Sequence, residues 1–96
     1  MRKIVWAPSA YEDLKEAHDF IGLDNPEAAR QWVGEIMHKV KRLATFPKMG
    51  RVIPEIGLSR YRELIMGGYR ICHEVTAARL IIFRILHSKR LLPGEL

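Results

Sequence analysis

The first half of the chain places apolar residues at helical spacing, after one short extended segment. Ile4–Ala7 predicts a first strand, which Pro8 breaks. Ser9 and Glu12 have the spacing of a capping box, so we expect Ser9 to start a helix. Its apolar face recurs at steps of four, three and four residues, and Gly22 is expected to end it. That face consists of Ala10, Leu14, Ala17 and Ile21.

A second helix is predicted directly after the first. Asn25 can serve as its N-cap, and Pro26 suits the first helical position. Its apolar stripe reaches about Ala44, and Phe46-Pro47 closes the unit. Two amphipathic helices joined by so short a turn are expected to pack as an antiparallel hairpin.

The second half of the chain has the spacing of strands. Proline and glycine mark residues 47–59 as a loop, and Gly67-Gly68 predicts a hairpin turn. Three strand-like runs follow the loop: Tyr61–Met66, Tyr69–Val75 and Leu80–Leu86. The third run is apolar on both faces, as a central strand is. We therefore predict an α+β fold with the order β-α-α-β-β-β, in which an N-terminal helical hairpin packs on one face of an antiparallel sheet.

Length and composition agree with one domain over residues 1–96. The chain is 48% hydrophobic and 28% charged, which is typical of a globular domain and argues against a disordered chain. Cys72 is the only cysteine, so no internal disulfide can form and a reducing compartment is indicated. Neither a signal peptide nor an apolar run of membrane-spanning length is present. We expect a cytoplasmic protein that does not associate with membranes.

The excess positive charge lies in the second half of the chain. The net charge is +5 and the pI about 9.7. Residues 1–46 hold seven basic and seven acidic groups, whereas residues 47–96 hold nine basic and four acidic groups. This asymmetry indicates a polyanionic surface or a strongly acidic partner. A solvated basic face without a ligand is the alternative.

Strand alternation places candidate site residues on and around the predicted sheet. In Tyr69–Val75, Arg70 projects from the face that the helices leave open, whereas His73 falls on the core face. His87 follows the last strand. We expect a polyanionic target or a strongly acidic partner to be bound by a basic group that consists of Arg62, Arg70, Arg84, His87, Lys89 and Arg90.

Two hypotheses account for these basic residues. Arginines on a rigid sheet can hold phosphates and stabilise charge on a phosphodiester, which would make Arg70 and Arg90 catalytic with His87 as acid or base. Alternatively, the sheet arginines pair with Glu63, Glu74 or a partner's carboxylates. No grouping of Cys and His has metal-ligand spacing, and no nucleotide-binding motif occurs, so we expect no metal and no cofactor.

Six short stretches of the chain occur in the order and spacing of a known family. They are NPEAAR at 25–30, LATFPKMGR at 43–51, PEIG at 54–57, YREL at 61–64, GYRI at 68–71 and ILHSKR at 85–90. Together they resemble the ParE branch of the RelE/ParE toxin superfamily, over nearly the whole chain. One departure from the ParE pattern is His73, where a tyrosine is usual.

The resemblance implies the β-α-α-β-β-β fold and a role as the toxin of a type II toxin–antitoxin system. A cognate antitoxin would wrap the toxin with an acidic, otherwise disordered C-terminal segment, which suits the basic second half of the chain. Operator DNA would be bound only through the antitoxin's N-terminal domain.

The resemblance also implies one of two targets. ParE-like members poison DNA gyrase and trap it on cleaved DNA, and the segment after the last strand, which begins here at Leu86-His87, is implicated in toxicity. RelE-like members cut mRNA in the ribosomal A site, and their two arginines match Arg70 and Arg90. RelE-like members also carry paired lysines and a C-terminal tyrosine, whose positions are occupied here by Tyr61, Glu63 and Leu96.

We therefore favour a growth-arresting, non-enzymatic gyrase poison of the plasmid-stabilisation type, neutralised by its antitoxin. One alternative is a ribosome-dependent mRNA endoribonuclease, that is, an mRNA interferase. Another is a degenerate toxin that acts only as an antitoxin-binding corepressor. If the chain poisons gyrase, its toxicity should depend on the segment His87–Leu96. If it cleaves RNA, cleavage should depend on Arg70.

Overall fold

The computed structural model describes residues 1–93, in which two helices pack against a five-stranded sheet. The helices are α1 (Pro8–Asp24) and α2 (Pro26–Thr45), and a 3-10 turn covers Pro47–Met49. The strands are β1 (Lys3–Trp6), β2 (Arg51–Val52), β3 (Tyr61–Met66), β4 (Tyr69–Val75) and β5 (Arg79–His87). The predicted α+β architecture is confirmed. Within residues 1–93 no helix is long and apolar enough to cross a bilayer.

The boundary between the two helices follows capping chemistry. The side chain of Asn25 accepts a hydrogen bond from the backbone N–H of Ala28 at 3.1 Å, as its predicted N-cap role requires. The prediction that Gly22 ends α1 is wrong, because α1 continues to Asp24. A single glycine costs a helix only about 1 kcal/mol, which the packing of the hairpin offsets.

The sheet is mixed rather than wholly antiparallel. Its order is β1-β5-β4-β3-β2, and β2 to β5 form an antiparallel series. β1 runs parallel to β5, with Ile4 opposite Leu80. The predicted loop over residues 47–59 contains β2, which is too short to show alternation. Gly67 and Gly68 both have positive φ, as the predicted two-residue hairpin turn requires.

α1 protects the part of the β5 edge that β1 does not reach. The Ser9 hydroxyl donates a hydrogen bond to the carbonyl of Phe83 at 2.8 Å. The carboxylate of Asp13 accepts one from the N–H of Ile85 at 2.9 Å and pairs with Arg84. Ser9 is therefore not the helix cap that its spacing predicted. Its hydroxyl instead satisfies a backbone group on a strand edge, where an open edge would invite pairing with other chains.

The main core lies between the helical hairpin and one face of the sheet. A bulge in β5 leaves Phe83 without an opposite residue, so Ile82 and Ile85 both reach this core. His73 is fully buried, and this burial lowers its pKa. The largest fully buried apolar side chains of the layer are Ile36, Leu43, Ile71, Leu80 and Ile82. Each stabilises the fold by about 1.5–3 kcal/mol.

The opposite face of the sheet carries a second, smaller core. Ile53, Cys72, Leu86 and Leu92 are buried together there. The face predicted to be open is therefore covered by the loop over residues 53–60 and by the chain after β5. Burial raises the pKa of the Cys72 thiol to about 12, so this side chain behaves as a small hydrophobe.

Two glycines provide a matched test of this packing. A Cβ at Gly50 would overlap the backbone carbonyl of Glu63, whereas nothing lies within 4 Å of a Cβ at Gly34 in α2. We expect Gly50→Ala to lower the free energy of unfolding by about 1–3 kcal/mol. Gly34→Ala should raise it by about 0.5–1 kcal/mol, because alanine favours a helix interior. Urea denaturation measures both, and equal effects of the two variants would contradict the close approach at Gly50.

Candidate functional site

Arg70 lies at the buried centre of an ionic network on the sheet face opposite the helices. Its side chain, in β4, is 5% exposed. Nε donates to Glu63 on β3, and the two terminal nitrogens hold both carboxylate oxygens of Glu55, each at 2.8 Å. Arg51 on β2 donates to the other oxygen of Glu63 at 2.8 Å. We call these four residues the Arg70 network. Its two arginines and two carboxylates carry no net formal charge.

The Arg70 network also fixes the backbone of residues 88–93, which we call the C-terminal segment. Arg70 Nη1 donates to the carbonyl of Arg90 at 2.8 Å. The N–H of Leu92 donates to Glu55 Oε2 at 3.0 Å, and the Leu92 side chain is buried in the second core. A shallow groove of about 400 Å³ lies between the loop over residues 53–60 and this segment. The segment is therefore held in one place although it forms no regular secondary structure.

Hydrogen bonds in the network keep the carboxylate of Glu55 ionised. The guanidinium of Arg70 and then the N–H of Leu92 lower the pKa of Glu55 to about 2. Glu55 in turn raises the pKa of Arg70. A buried ion pair is stable only when each partner makes its full set of hydrogen bonds. All three nitrogens of the Arg70 guanidinium have partners here.

His87 lies on the other face of the sheet from Arg70. It is opposite Tyr69 in the β4–β5 ladder, and the two rings meet edge to face at 5.6 Å. Tyr69 packs in turn on Trp32 of α2, with ring centroids 5.0 Å apart. A shallow pocket of about 200 Å³ separates His87 from Phe20 on α1. Arg70 and His87 therefore line two different pockets.

Two other predicted arginines, Arg62 and Arg84, stabilise the fold. Arg62 donates to the carbonyls of Ser59 and Gly50, each at 3.0 Å, and so holds the loop before β3. Arg84 pairs with Asp13 at 2.7 Å, which also raises the pKa of Arg84. The predicted basic group is thus divided. The guanidinium groups of Arg62, Arg70 and Arg84 are engaged within the chain. The other three residues lie at or after the end of β5 and are exposed: His87, Lys89 and Arg90.

Comparison with known proteins identifies the family. The family model described as the ParE toxin of the type II toxin–antitoxin system parDE matches residues 4–92. The chain belongs to this family. It is the toxin component of a type II toxin–antitoxin system, and an antitoxin partner is therefore indicated.

Relatives with this fold match over most of their length. Toxin ParE1 of Mycobacterium tuberculosis is 32% identical over 88 residues, which cover 86% of this chain and 86% of that protein. Toxin RelE2 of Caulobacter vibrioides is 32% identical over 92 residues, 95% of this chain and 100% of that protein. A solved structure of a chromosomal ParDE TA system from P. aeruginosa superposes with a TM-score of 0.75 and 25% identity, covering 93% of this chain and 98% of that one.

The most informative residue that the sequence did not single out is Glu55. Pairing of Arg70 with Glu63 was one of the two hypotheses, and the structure contains that pair. Glu55 lies in a loop, where alternation predicts no facing, although the PEIG stretch of the family resemblance contains it. Leu96, at the position of the expected tyrosine, lies outside the described residues. Within residues 1–93 no group of three possible metal ligands occurs.

The low pKa of Glu55 predicts a dependence of stability on pH. Because its pKa falls from 4.5 to about 2 on folding, the ionised carboxylate stabilises the fold above pH 4.5. That contribution is lost as the pH falls from 4.5 towards 2. We expect Glu55→Gln to have a lower melting temperature than the wild type at neutral pH. This gap in melting temperature should close as the pH falls from 4.5 towards 2. Thermal melts at stepped pH measure the gap. A gap that stayed constant down to pH 2 would show that the charge of Glu55 contributes nothing.

Proposed function

We propose that this toxin arrests growth by poisoning DNA gyrase without catalysing a reaction itself. The observation that carries the proposal is the burial of Arg70 between Glu55 and Glu63. An endoribonuclease of the RelE kind would need this guanidinium to hold a phosphodiester. Removing one partner from a buried ion pair costs about 3–5 kcal/mol, so a phosphate would have to compete with two carboxylates already in place.

The position of His87 supports the same proposal. An acid or base must lie within hydrogen-bonding reach of the group that it serves. His87 packs against Tyr69 on the helix side of the sheet, whereas Arg70 faces the second core. Of the three residues that the RNA hypothesis joined, Arg70 and His87 are therefore on different faces.

The exposed basic residues after β5 are the part of the chain best placed to bind a macromolecule. His87, Lys89 and Arg90 are exposed and follow one another closely. We propose that they contact gyrase, and that an acidic antitoxin segment neutralises the toxin by covering the same cations. We also propose that the toxin acts in the cytoplasm, where such targets are found, and that residues 1–96 form one domain. Operator DNA would be bound through the antitoxin.

A supercoiled-plasmid assay with purified gyrase tests this proposal. We expect linear DNA to accumulate as the wild-type toxin is added. A triple variant, His87→Ala/Lys89→Ala/Arg90→Ala, should need at least about tenfold more protein, equivalent to losing about 1.4 kcal/mol of binding free energy. The matched control is His38→Ala/Lys41→Ala/Arg42→Ala, which removes the same three residue types from exposed positions on α2. If the first variant traps gyrase as well as the control does, the proposed contact surface is wrong.

The 32% identity to a protein named RelE2 supports testing mRNA cleavage as a second candidate function. A toxin that arrests growth and leaves gyrase untouched is expected to cut mRNA on the ribosome. Arg90→Ala should then abolish cleavage, and this variant leaves the Arg70 network intact because only the backbone carbonyl of Arg90 takes part in it. Primer extension on mRNA from arrested cells measures this. A folded chain that arrests no growth at all would instead be a degenerate toxin, retained for antitoxin binding.

A further inference from the structure

Lys89, Arg90 and Leu91 of the C-terminal segment are exposed, and the ion pair of the buried Arg70 with the partly exposed Glu55 holds their backbone. We propose that Glu55 and Arg70 are positioning residues, which fix the backbone of Arg90 and Leu92 so that the basic side chains beside them meet the target in one arrangement. The inference rests on the proposed function, in that the residues after β5 are taken to contact the target. In this role Arg70 takes part in no reaction, and its contribution goes beyond the stability of the fold.

Besides the burial of the Leu92 side chain in the second core, the segment has few other means of keeping its place. Its first backbone bond joins the N–H of Ser88 to the carbonyl of Gly68 at 2.7 Å, next to the end of β5. The N–H of Arg90 bonds locally, to the carbonyl of His87 at 2.9 Å. Beyond that turn, the Arg90 carbonyl and the Leu92 N–H both bond to the Arg70 network. The two side chains of the network thus supply the tertiary hydrogen bonds of the outer half of the segment.

The network can perform this role because it joins parts of the chain that are far apart in sequence. Glu63 anchors Arg70 to β3, and Glu55 brings the loop over residues 53–60 against the same guanidinium. Hydrogen bonds to charged groups are stronger than neutral ones and more demanding in geometry. A target surface that meets a fixed segment avoids the entropic cost of ordering a free one. The expected consequence is a tighter toxin–target complex.

Replacing the buried charges with apolar side chains separates positioning from stability. Arg70→Ala alone would leave Glu55 and Glu63 without a partner and unfold the chain for an unrelated reason. The triple variant Glu55→Leu/Glu63→Met/Arg70→Met removes all three charges at once, and such replacements commonly leave a fold as stable as before. Arg51 loses its ion-pair partner Glu63 in this variant, but its side chain is 64% exposed and water solvates its charge. The matched control is Arg60→Met/Glu74→Leu, which removes a partly exposed pair at 3.8 Å.

Three measurements on the triple variant and the control test the proposal. We expect a melting temperature close to that of the wild type, and hydrogen exchange at the Leu92 N–H that becomes fast while β4 and β5 stay protected. Growth arrest without antitoxin should require about tenfold more toxin, because each freed side chain must be ordered again on binding. The control should match the wild type in all three. Should the triple variant not fold, Glu55→Ala replaces it, since Glu55 lies on a surface loop and Arg70 keeps Glu63.

The outcomes distinguish this inference from the proposed target. Full growth arrest by a folded variant whose Leu92 N–H exchanges freely would overturn the positioning role. A Leu92 N–H that stays protected without the network would overturn it as well. Wild-type toxin that arrests growth but does not trap gyrase would remove gyrase as the target, and the comparison of variants by growth arrest would still decide the positioning role. If the wild type arrests no growth, both proposals fail.

Discussion

The guanidinium of Arg70 lies between Glu55 and Glu63 beneath a loop, and four separate parts of the chain meet there. β4 supplies the arginine, β3 and the loop over residues 53–60 supply the carboxylates, and the C-terminal segment supplies a backbone carbonyl. Desolvating these charges is unfavourable unless each hydrogen bond forms, so the network tolerates few alternative arrangements. The loop and the C-terminal segment consequently take one position relative to the sheet.

The sheet separates two kinds of packing. On one face the helical hairpin forms an apolar core in which Ile36, Leu43 and Ile82 are fully buried. On the other face the core is small and depends on the loop and the C-terminal segment that the Arg70 network holds. α1 adds a third constraint, because Ser9 and Asp13 satisfy backbone groups on the open edge of β5. The end of β5, where the exposed basic residues begin, is therefore held from both sides.

This arrangement connects the fold to the function of a type II toxin. A small protein that acts by binding must present its contact residues in a fixed geometry, since it has little surface from which to gain affinity. Of the basic residues in the second half of the chain, Arg62, Arg70 and Arg84 hold the scaffold, and Lys89 and Arg90 remain exposed beyond it. The positive charge of this half thus serves stability at three arginines, and its exposed part is the surface proposed for recognition.

The sequence by itself determined the two helices and four of the five strands, because their signals are local. Apolar spacing predicted both helices, Asn25 marked the start of the second, and Gly67-Gly68 marked the hairpin turn. The fold class followed from the same patterns, and the toxin–antitoxin system was implied by the order of six short stretches. Only the tertiary structure decided the rest: the parallel pairing of β1 with β5, the use of Ser9 on a strand edge, and the burial of Arg70. Each of these depends on a partner more than fifteen residues away or on an irregular loop, where neither periodicity nor alternation specifies which side chains meet. Arg70 was expected to face an open surface because alternation gives the face of a strand residue but not what covers that face.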